Sequence, residues 1–79
     1  MTQPHMQDLI IHLIEEVIKE HAYPQTPLTS HTHILTETPL DSLDLAIIVV
    51  KLEEKTGKDP FKSGFIPFAT IEELAKLYE

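Results

Sequence analysis

Leu40-Asp41-Ser42-Leu43-Asp44-Leu45-Ala46-Ile47-Ile48-Val49-Val50-Lys51-Leu52-Glu53-Glu54-Lys55 is the stretch on which the fold turns. Asp41 is a good N-cap, and Asp44 falls three residues on, where an acid favours a helix start. Gly57 is a natural residue just past a helix end, and Lys55 and Lys58 suit the negative pole there. The stretch therefore reads as a helix from near Asp41 to Lys55, ending before Gly57. At about 100° per residue, Leu45, Ile48, Val49 and Leu52 fall on one face, and Leu43, Ala46, Ile47 and Val50 on the opposite face. A helix in a small bundle needs one apolar face for its core. The second stripe is either covered by a further helix or left exposed as a contact surface.

Working outward, a first helix is expected from about Pro4 to His21. Met6, Leu9, Ile10, Leu13, Ile14 and Val17 form its apolar stripe, with Asp8, Glu15, Glu16, Lys19 and Glu20 mostly off it. Pro4 suits a first helical turn, and Pro24 and Pro27 cannot continue the helix. Ala22 to Leu40 shows no periodicity, a long loop for a compact domain, with Leu28, Ile34 and Leu35 as its candidate anchors. Between Gly57 and Thr70 an irregular bridge carries Pro60, Phe61, Phe65, Pro67 and Phe68, with one short helical turn expected at Pro60 to Ser63 and the three Phe expected in the core. Thr70-Ile71-Glu72-Glu73 is a capping box that opens a last helix, whose apolar face is Ile71, Leu74, Ala75 and Tyr78. The fold class is all-α: a small bundle of three main helices plus a candidate short fourth, with a long loop between the first helix and the Asp41 helix. Residues 1–79 form a single domain in this reading, free-standing and not cut from a larger chain.

Composition narrows the function classes. Six Lys and Arg against thirteen Asp and Glu give a formal charge of −7, which disfavours any partner held through its phosphates, DNA and RNA included. The absence of Cys removes disulfides, zinc-thiolate sites and a cysteine nucleophile together. The longest apolar run, Leu45 to Val50, is six residues, far short of the about 20 that span a bilayer. No basic segment precedes an apolar one at the N-terminus, so no signal peptide or membrane is expected, and the expected compartment is the cytoplasm. His31 and His33 have no third ligand spaced to complete a metal site, and two Gly leave no room for a phosphate-binding loop.

Asp41-Ser42-Leu43-Asp44, followed by Leu52-Glu53-Glu54 and closed by Thr70-Ile71-Glu72-Glu73-Leu74-Ala75, resembles the acyl and peptidyl carrier proteins, small helical domains that hold pathway intermediates on a phosphopantetheine arm. The resemblance runs over nearly the whole chain: first helix, long loop, modified helix, bridge, last helix. It implies that Ser42 carries a covalent 4'-phosphopantetheine derived from coenzyme A, whose thiol holds cargo as a thioester. This chain has no thiol of its own. It also implies that the protein is not an enzyme but a substrate: of a phosphopantetheinyl transferase, which supplies magnesium and activation; of an adenylation or acyl-ligase loading enzyme; and of condensing or tailoring enzymes. A monomer is expected.

Two departures shape the expectation. Pro39 stands where the family usually has Gly, and it stiffens the approach to Ser42. Where fatty-acid carriers are acidic after the serine, this chain reads Leu45-Ala46-Ile47-Ile48-Val49-Val50-Lys51. It looks more like a stand-alone carrier of a specialised nonribosomal peptide or polyketide pathway. Leu43, Ile47 and Val50 lie one, five and eight residues after Ser42 and form the expected docking stripe, with Asp41 and Glu54 as a polar rim. An alternative from another class is an unmodified helical adaptor that binds a partner through the same stripe. A helix-turn-helix regulator is disfavoured by the charge. At Ser42 the helix start attracts a phosphate while Asp41 and Asp44 repel it. The two effects roughly cancel, so the covalent bond must hold the arm.

Overall fold

The computed structural model describes residues 6–78. Four helices follow one another: α1 Met6–Glu20, α2 Ile34–Glu37, α3 Ser42–Thr56 and α4 Ile71–Leu77. The expected start of the first helix at Pro4 lies outside the described residues. The architecture is an all-α bundle of three main helices and one short one, with a long loop between the first helix and the rest.

α1 packs against both α3 and α4. Its stripe Ile10, Leu13, Ile14 and Val17 is buried as the spacing predicts, joined by Ile18, while Met6 and Leu9 are only partly buried at its N-terminal end. α4 contributes Ile71, Leu74, Ala75 and Tyr78, all buried as expected. α3 contributes Ile48 and Leu52, both fully buried. Leu45 and Val49, expected beside them, are half-buried. A helix presents only a narrow wedge to two neighbours, and these residues flank that wedge.

Caps set the ends of α3 and α4. The Asp41 carboxylate accepts from the Asp44 N–H at 2.9 Å, and the Asp44 carboxylate accepts from the Asp41 N–H at 3.3 Å, a reciprocal box. Gly57 closes α3 in the left-handed region, φ 71°, and donates to the Glu53 carbonyl. Lys58, expected at that helix end, reaches instead to the Tyr78 carbonyl at 3.0 Å and serves the end of α4. Thr70 and Glu73 form the second box.

The connecting segments differ from expectation in three places. The short fourth helix is not at Pro60 to Ser63, where Lys62 and Gly64 N–H groups close successive turns on Asp59 and Phe61. It is α2, inside the stretch expected to be irregular. Four residues are too few to show a period, and α2 is held by local bonds: the Glu37 N–H donates to the His33 carbonyl at 2.8 Å and its carboxylate accepts from the His33 N–H. Of the three expected loop anchors, Ile34 is buried and Leu28 packs partly against the core, but Leu35 is half exposed. The Phe trio is core only in part: Phe61 and Phe68 are half-buried and pack against the core, but Phe65 is 73% exposed.

The long loop is fastened at its far end to the start of α4. Ile71 and Glu72, whose N–H groups have no partner within their own helix, donate to the Thr32 and Ser30 carbonyls at 3.2 and 2.9 Å. Ile34 in turn donates to Ala69 across a short bridge between His33 and Thr70.

Candidate functional site

Ser42 is the first residue of α3 and is exposed. The capping box fixes its place: Asp41 precedes it, Asp44 follows it, and the two carboxylates exchange bonds with each other's backbone across it. The Asp41 carboxylate therefore already occupies the anion-seeking position at the start of α3.

The two acids do not face the same way. Asp41 is exposed, whereas Asp44 is 3% exposed and points inward. Its Oδ2 accepts from the Tyr23 hydroxyl at 3.1 Å, and its Oδ1 lies 3.6 Å from His21 Nε2. The His21 ring stacks on Tyr23, with centroids 5.2 Å apart. Burial pushes the Asp44 carboxyl up, but the Asp41 N–H, the Tyr23 hydroxyl and His21 outweigh it and hold the group below the usual carboxylate range. The same bond, then burial and the nearby acids, raises the Tyr23 hydroxyl. Nothing in the spacing of the chain links Tyr23 to Asp44. The only signal was that an acid at the third helical position of a capped helix has its carboxylate turned toward the cap.

On one side of Ser42 an apolar cavity of about 480 Å³ opens between Leu45 and Val49 of α3, Leu35 and the three Phe. Phe61 and Phe65 stack at 5.7 Å, with Phe68 tilted against both. The core expected of these rings holds in part for Phe61 and Phe68, but their place beside Ser42 is not legible in the sequence. Apolar rings in a Pro-rich bridge carry no periodicity that says which way they face.

The stripe Leu43, Ile47 and Val50 is at the surface, with 70%, 37% and 55% of each residue exposed. Ile47 and Val50 share a shallow depression with Ala46, Lys51 and Glu54, so Glu54 stands at its edge. Asp41 lies at the other end, beside Ser42. Val50 lines both the depression and the cavity, and so joins the two surfaces. No further helix covers this face among the described residues.

The loop histidines are committed elsewhere. His33 pairs with Glu37 at 3.0 Å and His31 with Glu72 at 3.6 Å. Among the described residues no group of three His, Asp or Glu side chains is placed to hold a metal ion. No helix among them is long and apolar enough to cross a membrane. No family model, no curated protein and no solved structure matches the chain.

Proposed function

We propose that this chain is a carrier domain of the acyl and peptidyl carrier type, with Ser42 as the attachment point of a 4'-phosphopantetheine arm. What carries the reading is one observation: Ser42 is exposed in a capped first turn, with the apolar cavity on one side and the exposed apolar stripe of the same helix on the other. A hydroxyl that must be reached by one enzyme and then serve others needs both access and a fixed backbone. The capping box gives the second without covering the first. When bound, the arm supplies the thiol that this chain lacks and holds cargo as a thioester.

The protein's own residues have three parts to play. Ser42 offers its oxygen. Asp41 and Asp44 hold the turn. Leu43, Ile47 and Val50 form the docking surface for transferase, loading and condensing enzymes, with Asp41 and Glu54 as its polar rim. The cavity lined by Phe61, Phe65 and Phe68 gives apolar cargo a place out of water. The pathway is a specialised peptide or polyketide one, since the docking helix carries apolar residues where fatty-acid carriers are acidic. The protein is a substrate throughout and works in the cytoplasm as a monomer.

The test is intact mass after incubation with coenzyme A and a broad-specificity phosphopantetheinyl transferase. One arm is gained, and Ser42→Ala abolishes the gain. The exposed stripe also favours a second reading, an unmodified adaptor. That reading uses Leu43, Ile47 and Val50 for a partner but leaves Ser42 without a role, and it predicts no change in mass.

A further inference from the structure

We propose that Tyr23 is a positioning residue for Ser42, acting through Asp44 to tether the loop after α1 to the first turn of α3. In what it says of Ser42, this rests on the carrier reading.

The Tyr23 N–H donates to the Ile18 carbonyl at 2.9 Å and the Ala22 N–H to the Lys19 carbonyl at 3.2 Å. These two bonds are the signature of a Schellman turn, whose pivot is normally Gly in the left-handed region. Here the pivot is Ala22 at φ 55°, the only non-glycine with positive φ among the described residues. A side chain there is strained. The strained turn places Tyr23 so that its hydroxyl meets Asp44, 21 residues along the chain.

At α3 the bond lands on a specific oxygen. Asp44 Oδ2 accepts both the Tyr23 hydroxyl and the Asp41 N–H, while Asp41 Oδ1 accepts the Asp44 N–H. Tyr23 thus holds in place the carboxylate that closes the bracket around Ser42 and Leu43. Asp44 is buried, so a lost donor leaves part of its charge uncompensated. Its relief is to rotate toward water, and that rotation breaks its bond to Asp41 and loosens the turn that bears Ser42. The effect stays local. Ile48 and Leu52 anchor the rest of α3 in the core, and Ser30 and Thr32 fasten the other end of the loop to α4.

Tyr23→Phe keeps the ring and its stack on His21 and removes only the hydroxyl. The first readout is native-state hydrogen exchange. The Asp44 and Leu45 amides, which donate to Asp41, should exchange roughly tenfold faster, as expected for loss of a hydrogen bond to a charged group. The Ile48 and Leu52 amides should accelerate no further than the variant's loss of global stability, read from its urea midpoint, accounts for. The second readout is the transferase reaction with coenzyme A. Its kcat should fall on the order of tenfold through misplacement of the serine, a larger change than any in KM for the protein, because Ile47, Val50 and Glu54 of the docking surface lie outside the loosened turn. Asp44→Ala removes the acceptor from the other side and should give the same local pattern, and the double variant should be no worse than Asp44→Ala alone. Should Tyr23→Phe fail to fold, Tyr23→Leu, which also lacks the hydroxyl and leaves both acids of the Asp41–Asp44 box in place, carries both readings.

Unchanged exchange at Asp44 and Leu45 overturns the tether. So do additive effects in the double variant. A parent that is modified and a folded variant that matches its kcat overturn the positioning role. A parent that is never modified overturns the carrier reading instead, and the exchange rates then decide the tether alone.

Discussion

The Tyr23 hydroxyl and the Asp44 carboxylate meet at 3.1 Å across 21 residues of chain. A neutral donor and a charged acceptor held together in this way make stability depend on pH from both sides. The Asp44 carboxyl lies below its ordinary range when folded, so the unfolded chain takes up its proton first as pH falls. Its stabilisation is present above the ordinary carboxylate pKa of about 4 and is lost as pH falls through the folded value. Glu37 and Glu73 act in the same direction, held down chiefly by the N–H of His33 and by those of Thr70 and Ala69. The Tyr23 hydroxyl is raised, so its stabilisation is present below about pH 10 and is lost as pH rises through the folded value. Tyr78, raised by burial and by Asp59 and Glu53, adds to that limb.

The expected profile of urea midpoint against pH is therefore a plateau from about pH 5 to 9 that falls on either side. Asp44→Asn should shrink the acid fall and Tyr23→Phe the alkaline fall. Falls of the parent's full size in both variants would contradict this account of the pair.

Leu52 is fully buried between α3 and its neighbours. Leu52→Ala should cost about 2–5 kcal/mol, a large share of so small a domain's stability. Chemical denaturation measures it, and a midpoint equal to the parent's would show that this face of α3 is not packed.

Ala22 and Gly57 occupy the same left-handed region with opposite residue types. At Ala22, glycine relieves about 1–2 kcal/mol of backbone strain against about 0.5–1 of extra chain entropy, so Ala22→Gly should stabilise by up to about 1.5 kcal/mol. At Gly57 an added Cβ would meet nothing within 4 Å, so Gly57→Ala should cost the same strain less the same chain entropy, up to about 1.5 kcal/mol. Thermal midpoints of the two variants should move in opposite directions.

How much of this was legible in the sequence depends on the range of the forces involved. The limits of α3 and α4 follow from Asp41, Gly57 and the Thr70–Glu73 box, because capping is written within four residues. The buried face of α4 follows from period alone. α2 was not legible: four residues cannot show a period, and its stability comes from His33 and Glu37 and from the packing of Ile34. Nor was the inward turn of Asp44, since its partner Tyr23 arrives from a loop that only the tertiary fold brings close. The aromatic surround of Ser42 was missed for a related reason. Phe61, Phe65 and Phe68 look like core by composition, and Phe61 and Phe68 do pack against it, but all three rings also line the cavity beside Ser42.

Ile47 is 37% exposed on the face of α3 away from the core. Ile47→Glu should leave the thermal midpoint within a degree or so of the parent, as surface changes usually do, yet slow loading by the cognate enzyme. Contacts of this apolar kind should weaken relatively little with added salt. Unfolding of the variant would place the stripe in the core. A folded variant that loads at the parent rate would place the docking surface elsewhere.

The most direct test of the central claim is the mass of the intact protein after treatment with coenzyme A and a broad-specificity phosphopantetheinyl transferase, followed by peptide mapping. The account predicts one phosphopantetheine per chain, carried on Ser42 and absent from Ser42→Ala. An unchanged mass for the folded parent, or an arm mapped to Ser30 or Ser63, would contradict it.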